Sequence, residues 1–230
     1  LFNSSHSSCV IVNGLFCKDG DPSGPIYIPG RNLVFAVLSA CQEMPDEIWL
    51  GALLEENHAG GTDKNSEFLK KTSDLLSYTL SPFIPEVKIR APFVEQNLTK
   101  FGAVKWALSN GLTAEDVIST ISCYQQENAD SVDACGNCKQ CLRRFAIFYD
   151  LGFEEKYVQH PLDSVKNRAW VDDMINIGLE KQWPSYILND LHWPGILKYI
   201  EDASKKYKDD DWIKKLKIKI KVNIPTEKML

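Results

Sequence analysis

The sequence predicts an α/β fold in which a parallel sheet carries helices on both faces. Three observations predict it. Strand-length apolar runs alternate with amphipathic helical stretches up to about residue 123, the order that builds parallel sheets. Glu47-Ile48-Trp49-Leu50-Gly51-Ala52-Leu53-Leu54 is a near-continuous apolar run, as expected of a strand covered on both sides. A four-cysteine segment then closes the pattern, and a helical C-terminal extension follows it.

In chain order, Leu1 to Ser8 is polar, Cys9-Val10-Ile11-Val12 reads as extended, and Lys18 to Pro25 has a loop composition. Pro29-Gly30 breaks the next extended run, and Asn32 is placed to cap a helix over Leu33 to Cys41. That helix is apolar nearly all round, so burial between other elements is expected. Arg31 and Asn32 at its mouth suit either a grip on a polar ligand or an ordinary cap with a surface arginine. Beyond the Glu47–Leu54 run the polar loop Glu55 to Asn65 lies where open α/β sheets place their ligands. Its bland reading is a solvated loop, and His58 there has no partner in the sequence pattern. Ser66 to about Leu80 reads as a helix, Glu86 to Arg90 as a strand, and Leu98 to Asn110 as a helix stopped by Gly111. Thr113-Ala114-Glu115-Asp116 resembles a capping box.

Cys123 precedes Cys135-Gly136-Asn137-Cys138-Lys139-Gln140-Cys141 by a short gap, and the last three cysteines are spaced CxxCxxC. Tight CxxC turns bring neighbouring thiolates to one point, and a distant cysteine completes a tetrahedral cage. The expectation is a structural zinc ion on Cys123, Cys135, Cys138 and Cys141, with no open position for catalysis. An iron–sulfur cluster uses the same ligands and stays open as an alternative. A redox CxxC would leave two cysteines unused, and a disulfide framework suits a short secreted chain better than this one. The helix after the cage is expected from Leu142 to about Leu151.

The chain has 230 residues, 44% of them hydrophobic, 7 cysteines and a formal net charge of -5. That is enough apolar content for a full core, and the acidic balance gives no general attraction to nucleic acid. No apolar run reaches membrane-spanning length. The scattered Cys9, Cys17 and Cys41 fit a reducing cytoplasm, with Cys41 as core. Residues 154–230 form the extension: helical spacing with Trp170, Trp183 and Trp193 packing inward, and Trp212 to Lys221 alternating as a solvent-facing edge strand. The basic strip there is mostly a solvated edge, with contact to an acidic partner as the other reading.

Taken together, Tyr27-Ile28-Pro29-Gly30-Arg31-Asn32, the Gly51 strand with its acidic loop, Asp63 to Phe68, Pro92-Phe93 with Lys100, and Ser122-Cys123-Tyr124 leading to CGxCxxC and Arg144 occur in one order. That order resembles the QueC family, the 7-cyano-7-deazaguanine synthases, over roughly residues 1–153. The resemblance implies a Rossmann-like, adenine-nucleotide α-hydrolase-like domain over 1–153. It implies adenylation of a 7-deazaguanine carboxylate by ATP with Mg2+, then conversion to the amide and the nitrile preQ0, or ligation to another amine. It also implies that Arg31, Asn32, Asp63 and Lys100 face substrate or nucleotide and that the four cysteines hold zinc; Glu55 joins that set by its position in the loop alone.

Three departures qualify the resemblance. The family's SGGxDS phosphate loop is not in this sequence, so an N-terminal portion of the fold is expected from a preceding segment or a companion chain. Residues 55–65 replace the family's usual aromatic and Pro-Asp-Cys features, so the substrate need not be the free acid. Relatives in phage and anti-phage defence diverge in this way, with amine acceptors that include a protein N-terminus. The third departure is the extension. A different class of function also fits: a catalytically silent, zinc-bearing module binding a deazaguanine, a protein or a nucleic acid. A protein partner or homodimer is compatible with either, and a membrane with neither.

Overall fold

The computed structural model describes residues 30–57, 63–123, 133–182, 188, 191–206 and 210–224. The expected elements before Gly30, the loop tip with His58, and Trp183 lie outside them. The chain divides into two compact units: Leu1–Ala52 with Glu56–Gln96, and Leu53–Glu55 with Asn97–Leu230.

The first unit holds a parallel strand pair with helices. Helix α1, Arg31–Glu43, opens on Gly30 at φ 73° and closes on Met44, whose N–H returns to Ala40 O. Gly30 is the N-cap, not Asn32 as expected. Its left-handed backbone turns the chain into the helix without a side-chain cap, and the Asn32 amide is engaged elsewhere. The helix is not buried all round either. Asn32, Ala36 and Ala40 form the buried face, while Phe35 is 42% exposed. Small residues four apart allow close packing on one side only.

Strand β1, Glu47–Trp49, pairs in parallel with β2, Lys88–Arg90, in the register Ile48 to Ile89. The apolar run stays extended for a shorter distance than expected. Leu50 N–H still donates to Arg90 O at 2.8 Å, and the chain then coils into a 3-10 turn at Leu54–Glu56.

Helix α2, Ser66–Leu80, makes the crossover between the strands, and its Asn65 cap accepts from Phe68 N–H at 2.9 Å. Ser73 and Ser77 on α2 accept the N–H groups of Ile89 and Val87 at 2.8 and 2.9 Å. These hydroxyls satisfy backbone donors of β2 and its approach that the β1 ladder does not take. Leu69, Leu76, Val87, Ile89 and the alanines of α1 make the core. A short helix α3, Pro92–Glu95, begins with its proline in the first turn, where a missing N–H is harmless.

The second unit is helical. Helix α4, Lys100–Ser109, is capped by Thr99, and α5, Ala114–Ser119, carries the full capping box between Thr113 and Asp116. Helix α6, Lys139–Leu151, begins three residues earlier than expected because Cys138 serves as its N-cap. Then come α7, Val165–Glu180, α8, Trp193–Lys206, and α9, Asp211–Asn223.

The segment expected as an edge strand is therefore helix α9. Ile213, Leu216, Ile220 and Ile224 are buried on one face at spacings near 3.6 residues, and Asp210 accepts from the N–H groups of Trp212 and Ile213. The lysine–isoleucine alternation at residues 217–221 imitates a strand but covers only one helical turn. Described residues after 153 share one core with α6. Leu142, Phe145 and Ala146 pack with Val171, Ile175, Trp193, Ile196, Ile200 and Leu216. A Cβ on Gly195 would lie 1.7 Å from Ala146 O, so α8 meets α6 backbone against backbone.

Candidate metal centre and ligand residues

Cys123, Cys135, Cys138 and Cys141 converge, with every Sγ within 4.8 Å of the others. Cys135 and Cys141 Sγ are 3.8 Å apart, and Cys138 and Cys141 Sγ are 3.5 Å apart. Tetrahedral zinc with bonds of about 2.3 Å requires sulfurs roughly 3.8 Å apart, so the donor set fits such an ion. Backbone N–H groups of Cys135 and Asn137 donate to the sulfurs of Cys123 and Cys135 at 3.4 and 3.2 Å. Burial pushes the Cys135 thiol up to about 11. The Cys141 thiol is raised by its hydrogen bond with Cys138 and by burial. Ionising four thiols in so small a volume would need a cation, and a divalent metal is the kind that would supply it.

Neighbouring segments build the cage. Gly136 stands at φ 71°, and a Cβ there would sit 1.6 Å from Gln159 O. Asn167 donates to Gly136 O and Pro161 O, both at 2.9 Å, and the Ser164 hydroxyl bonds to Asn137 Oδ1. Ala134 bridges in parallel to Tyr157. Arg144 is 5% exposed. Its guanidinium donates to Glu155 at 2.5 Å, Thr120 Oγ1 at 2.7 Å and Ile118 O at 2.7 Å. It ties the stretch of chain leading into Cys123 to α6, the helix that carries Cys141. Nothing in the sequence named Asn167, Ser164 or Glu155 as part of this construction, because each acts across a distance that no local spacing encodes.

The other candidate residues fall into two groups. In the first unit, Asn32 Nδ2 donates to both the main-chain O and Oδ2 of Asp63 at 3.1 Å. Arg31 is half-buried in the same first turn of α1, and Lys64 pairs with Glu56. In the second unit, Glu55 is buried and its Oε1 accepts the Lys100 backbone N–H at 3.2 Å. Lys100 Nζ donates to Gln140 Oε1 at 3.3 Å. Gln140, inside the CxxC turn, is the residue that sequence reading passed over; its place in the motif was the available signal.

Chemically, Asp63 offers a carboxylate oriented by an amide, the kind of acceptor that reads ring N–H and exocyclic amino groups. Lys100 offers an ammonium at a helix N-terminus, suited to a carboxylate or phosphate.

The family profile described as "Queuosine biosynthesis protein QueC" matches residues 15–152. A protein of a Nitratiruptor species named 7-cyano-7-deazaguanine synthase is 30% identical over 155 residues, which cover 65% of this chain and 66% of the relative. The protein of that name from Campylobacter jejuni subsp. jejuni serotype O:6 is 32% identical over 133 residues, 56% of this chain and 54% of its own. That of Methanococcus aeolicus is 29% identical over 134 residues, 56% of this chain and 55% of its own. The chain thus spans between half and two thirds of the length of these relatives. No solved structure matches it. With the family profile covering more than half of its residues, the four-cysteine cage included, the chain belongs to the QueC family.

Proposed function

We propose that this chain works as an ATP-dependent enzyme that activates a 7-deazaguanine carboxylate and converts it to the amide and nitrile. The reading is carried by the match over residues 15–152 to a family whose relatives are named 7-cyano-7-deazaguanine synthase. In this scheme a carboxylate oxygen attacks the α-phosphorus of Mg2+-bound ATP and pyrophosphate leaves. Ammonia then attacks the acyl carbon, loses a proton and expels AMP, giving the amide. The amide oxygen then attacks the α-phosphorus of a second ATP, pyrophosphate again leaves, and loss of AMP and the amide protons gives the nitrile. A Rossmann-like sheet with helices on both faces is the matching fold.

The chain's own groups have separate tasks in this scheme. Asp63, steered by Asn32, accepts hydrogen bonds from the deazaguanine ring. Lys100, whose backbone is fixed by Glu55, holds the substrate carboxylate or a nucleotide phosphate by charge. Arg31, at the start of α1, is a second cation for nucleotide or substrate. Zinc is the metal that best suits four buried thiolates. It supplies structure, because four sulfurs leave no position for water or substrate.

The test is to incubate the protein, as its source produces it, with 7-carboxy-7-deazaguanine, ATP, Mg2+ and ammonium, and to weigh the products. AMP together with the amide or nitrile is the expected result. Lys100→Met should weaken substrate or ATP binding about tenfold or more, the worth of a charge-assisted hydrogen bond. A metal-loaded, folded protein that yields neither AMP nor product would overturn the reading in favour of a silent binding module.

A further inference from the structure

Lys100 is held at its backbone and at the tip of its side chain. Its backbone N–H donates to Glu55 Oε1 at 3.2 Å, and Thr99 caps the same turn by accepting from Gly102 N–H at 3.1 Å. Its tip donates to Gln140 Oε1 at 3.3 Å. Gln140 lies between Cys138 and Cys141, whose sulfurs are 3.5 Å apart. It also lies in the first turn of α6, for which Cys138 is the N-cap. The reach of the Gln140 amide is therefore fixed by two members of the cage.

We propose that Gln140 is a positioning residue for Lys100, so that metal occupancy of the four-cysteine cage sets the placement of the candidate site's ammonium. The functional half of this inference rests on the reading of Lys100 as the cation for a carboxylate or phosphate. The geometric half does not. A metal with no open coordination position thereby influences ligand binding through one side chain that it does not bind.

The experiment is competitive acylation of the full-length protein's lysines by a small succinimidyl ester, quantified peptide by peptide by mass spectrometry. Native protein is compared with Gln140→Met, which keeps the length of the side chain and removes the acceptor, and with Gln140→Glu. Metal content is measured on each. Lys70, exposed and paired with Asp74 on α2, serves as the internal reference.

A hydrogen-bonded ammonium gives up its proton less readily, so Lys100 should label roughly threefold or more faster in Gln140→Met and slower in Gln140→Glu than in native protein. Metal content should stay unchanged, and stripping the metal should speed Lys100 as the Met variant does. Equal Lys100 rates in all three proteins would overturn the proposal, as would a rise shared by Lys70, which reports general loosening. ATP titration of the same variants separates the two readings. Shifted labelling with unchanged ATP affinity upholds the positioning and removes the ligand role from Lys100.

Discussion

At the scale of single residues, the second unit depends on groups whose alternatives are sterically or electrostatically closed. Gly136 has both a left-handed φ and no space for a Cβ beside Gln159 O. Gly136→Ala should therefore distort the CxxC turn and release metal, which a chelator-competition titration would read as a loss of affinity of about tenfold or more. Arg144 and Glu155 form a buried pair, their side chains 6% and 12% exposed. Arg144→Met should cost about 3–5 kcal/mol in denaturant unfolding, because it leaves the carboxylate without its counter-charge. Sequence position puts Arg144 close after the last cysteine but offers no hint of its partners. Thr120 and Glu155 come from segments that only the folded chain brings to α6.

At the scale of elements, the legible helices are those with strong local signals. α2 begins and ends where its helical pattern predicts, and the capping box of α5 is present as the sequence suggests. Helix α9 imitates a strand in sequence because its alternating lysines and isoleucines satisfy a period of two over a few residues. The longer spacing of Ile213, Leu216, Ile220 and Ile224 decides the matter once a core exists to receive that face. β1 is shorter than its apolar run for the complementary reason: such a run reports burial, not backbone pairing. Close contact of α8 with α6 has its own test. Gly195→Ala forces a methyl group against Ala146 O and should destabilise the protein by about 1–3 kcal/mol.

The loop before α8 adds a dependence on pH. His192 stacks on Phe101 with ring centroids 3.9 Å apart and bonds to Asp150 at 2.8 Å. Burial lowers its pKa from 6.5, against the opposing pull of Asp150. A His pKa depressed by folding means that the unfolded chain binds the proton more tightly. Stability is then full above the ordinary value of 6.5 and falls as the pH drops through it. Melting temperature should decline on acidification below that value, and His192→Phe should flatten the decline.

At the scale of the whole molecule, two units carry different parts of the candidate chemistry. Asn32 and Asp63 meet within the first, and Glu55, Lys100 and Gln140 within the second. The convergence of the four cysteines was legible in the sequence, because CxxC spacing encodes the proximity of three of them directly. The pairing of Asn32 with Asp63 was legible only as two separate candidates, 31 positions apart. The division of the candidate residues between units had no local signal at all. The shared core of α6 with α8 and α9 was not legible, since their buried faces are complementary across tens of residues of sequence.

The central structural claim is that a thiolate-bound metal holds the second unit, and with it Lys100, in place. X-ray absorption at the metal edge, with elemental analysis of the native protein and its Cys138→Ser variant, tests it most directly. The expected result is one zinc per chain ringed by four sulfurs at about 2.3 Å, and loss of that metal with a lower melting temperature in the variant. A native protein without metal, or a metal bound by oxygen or nitrogen in place of sulfur, would contradict it.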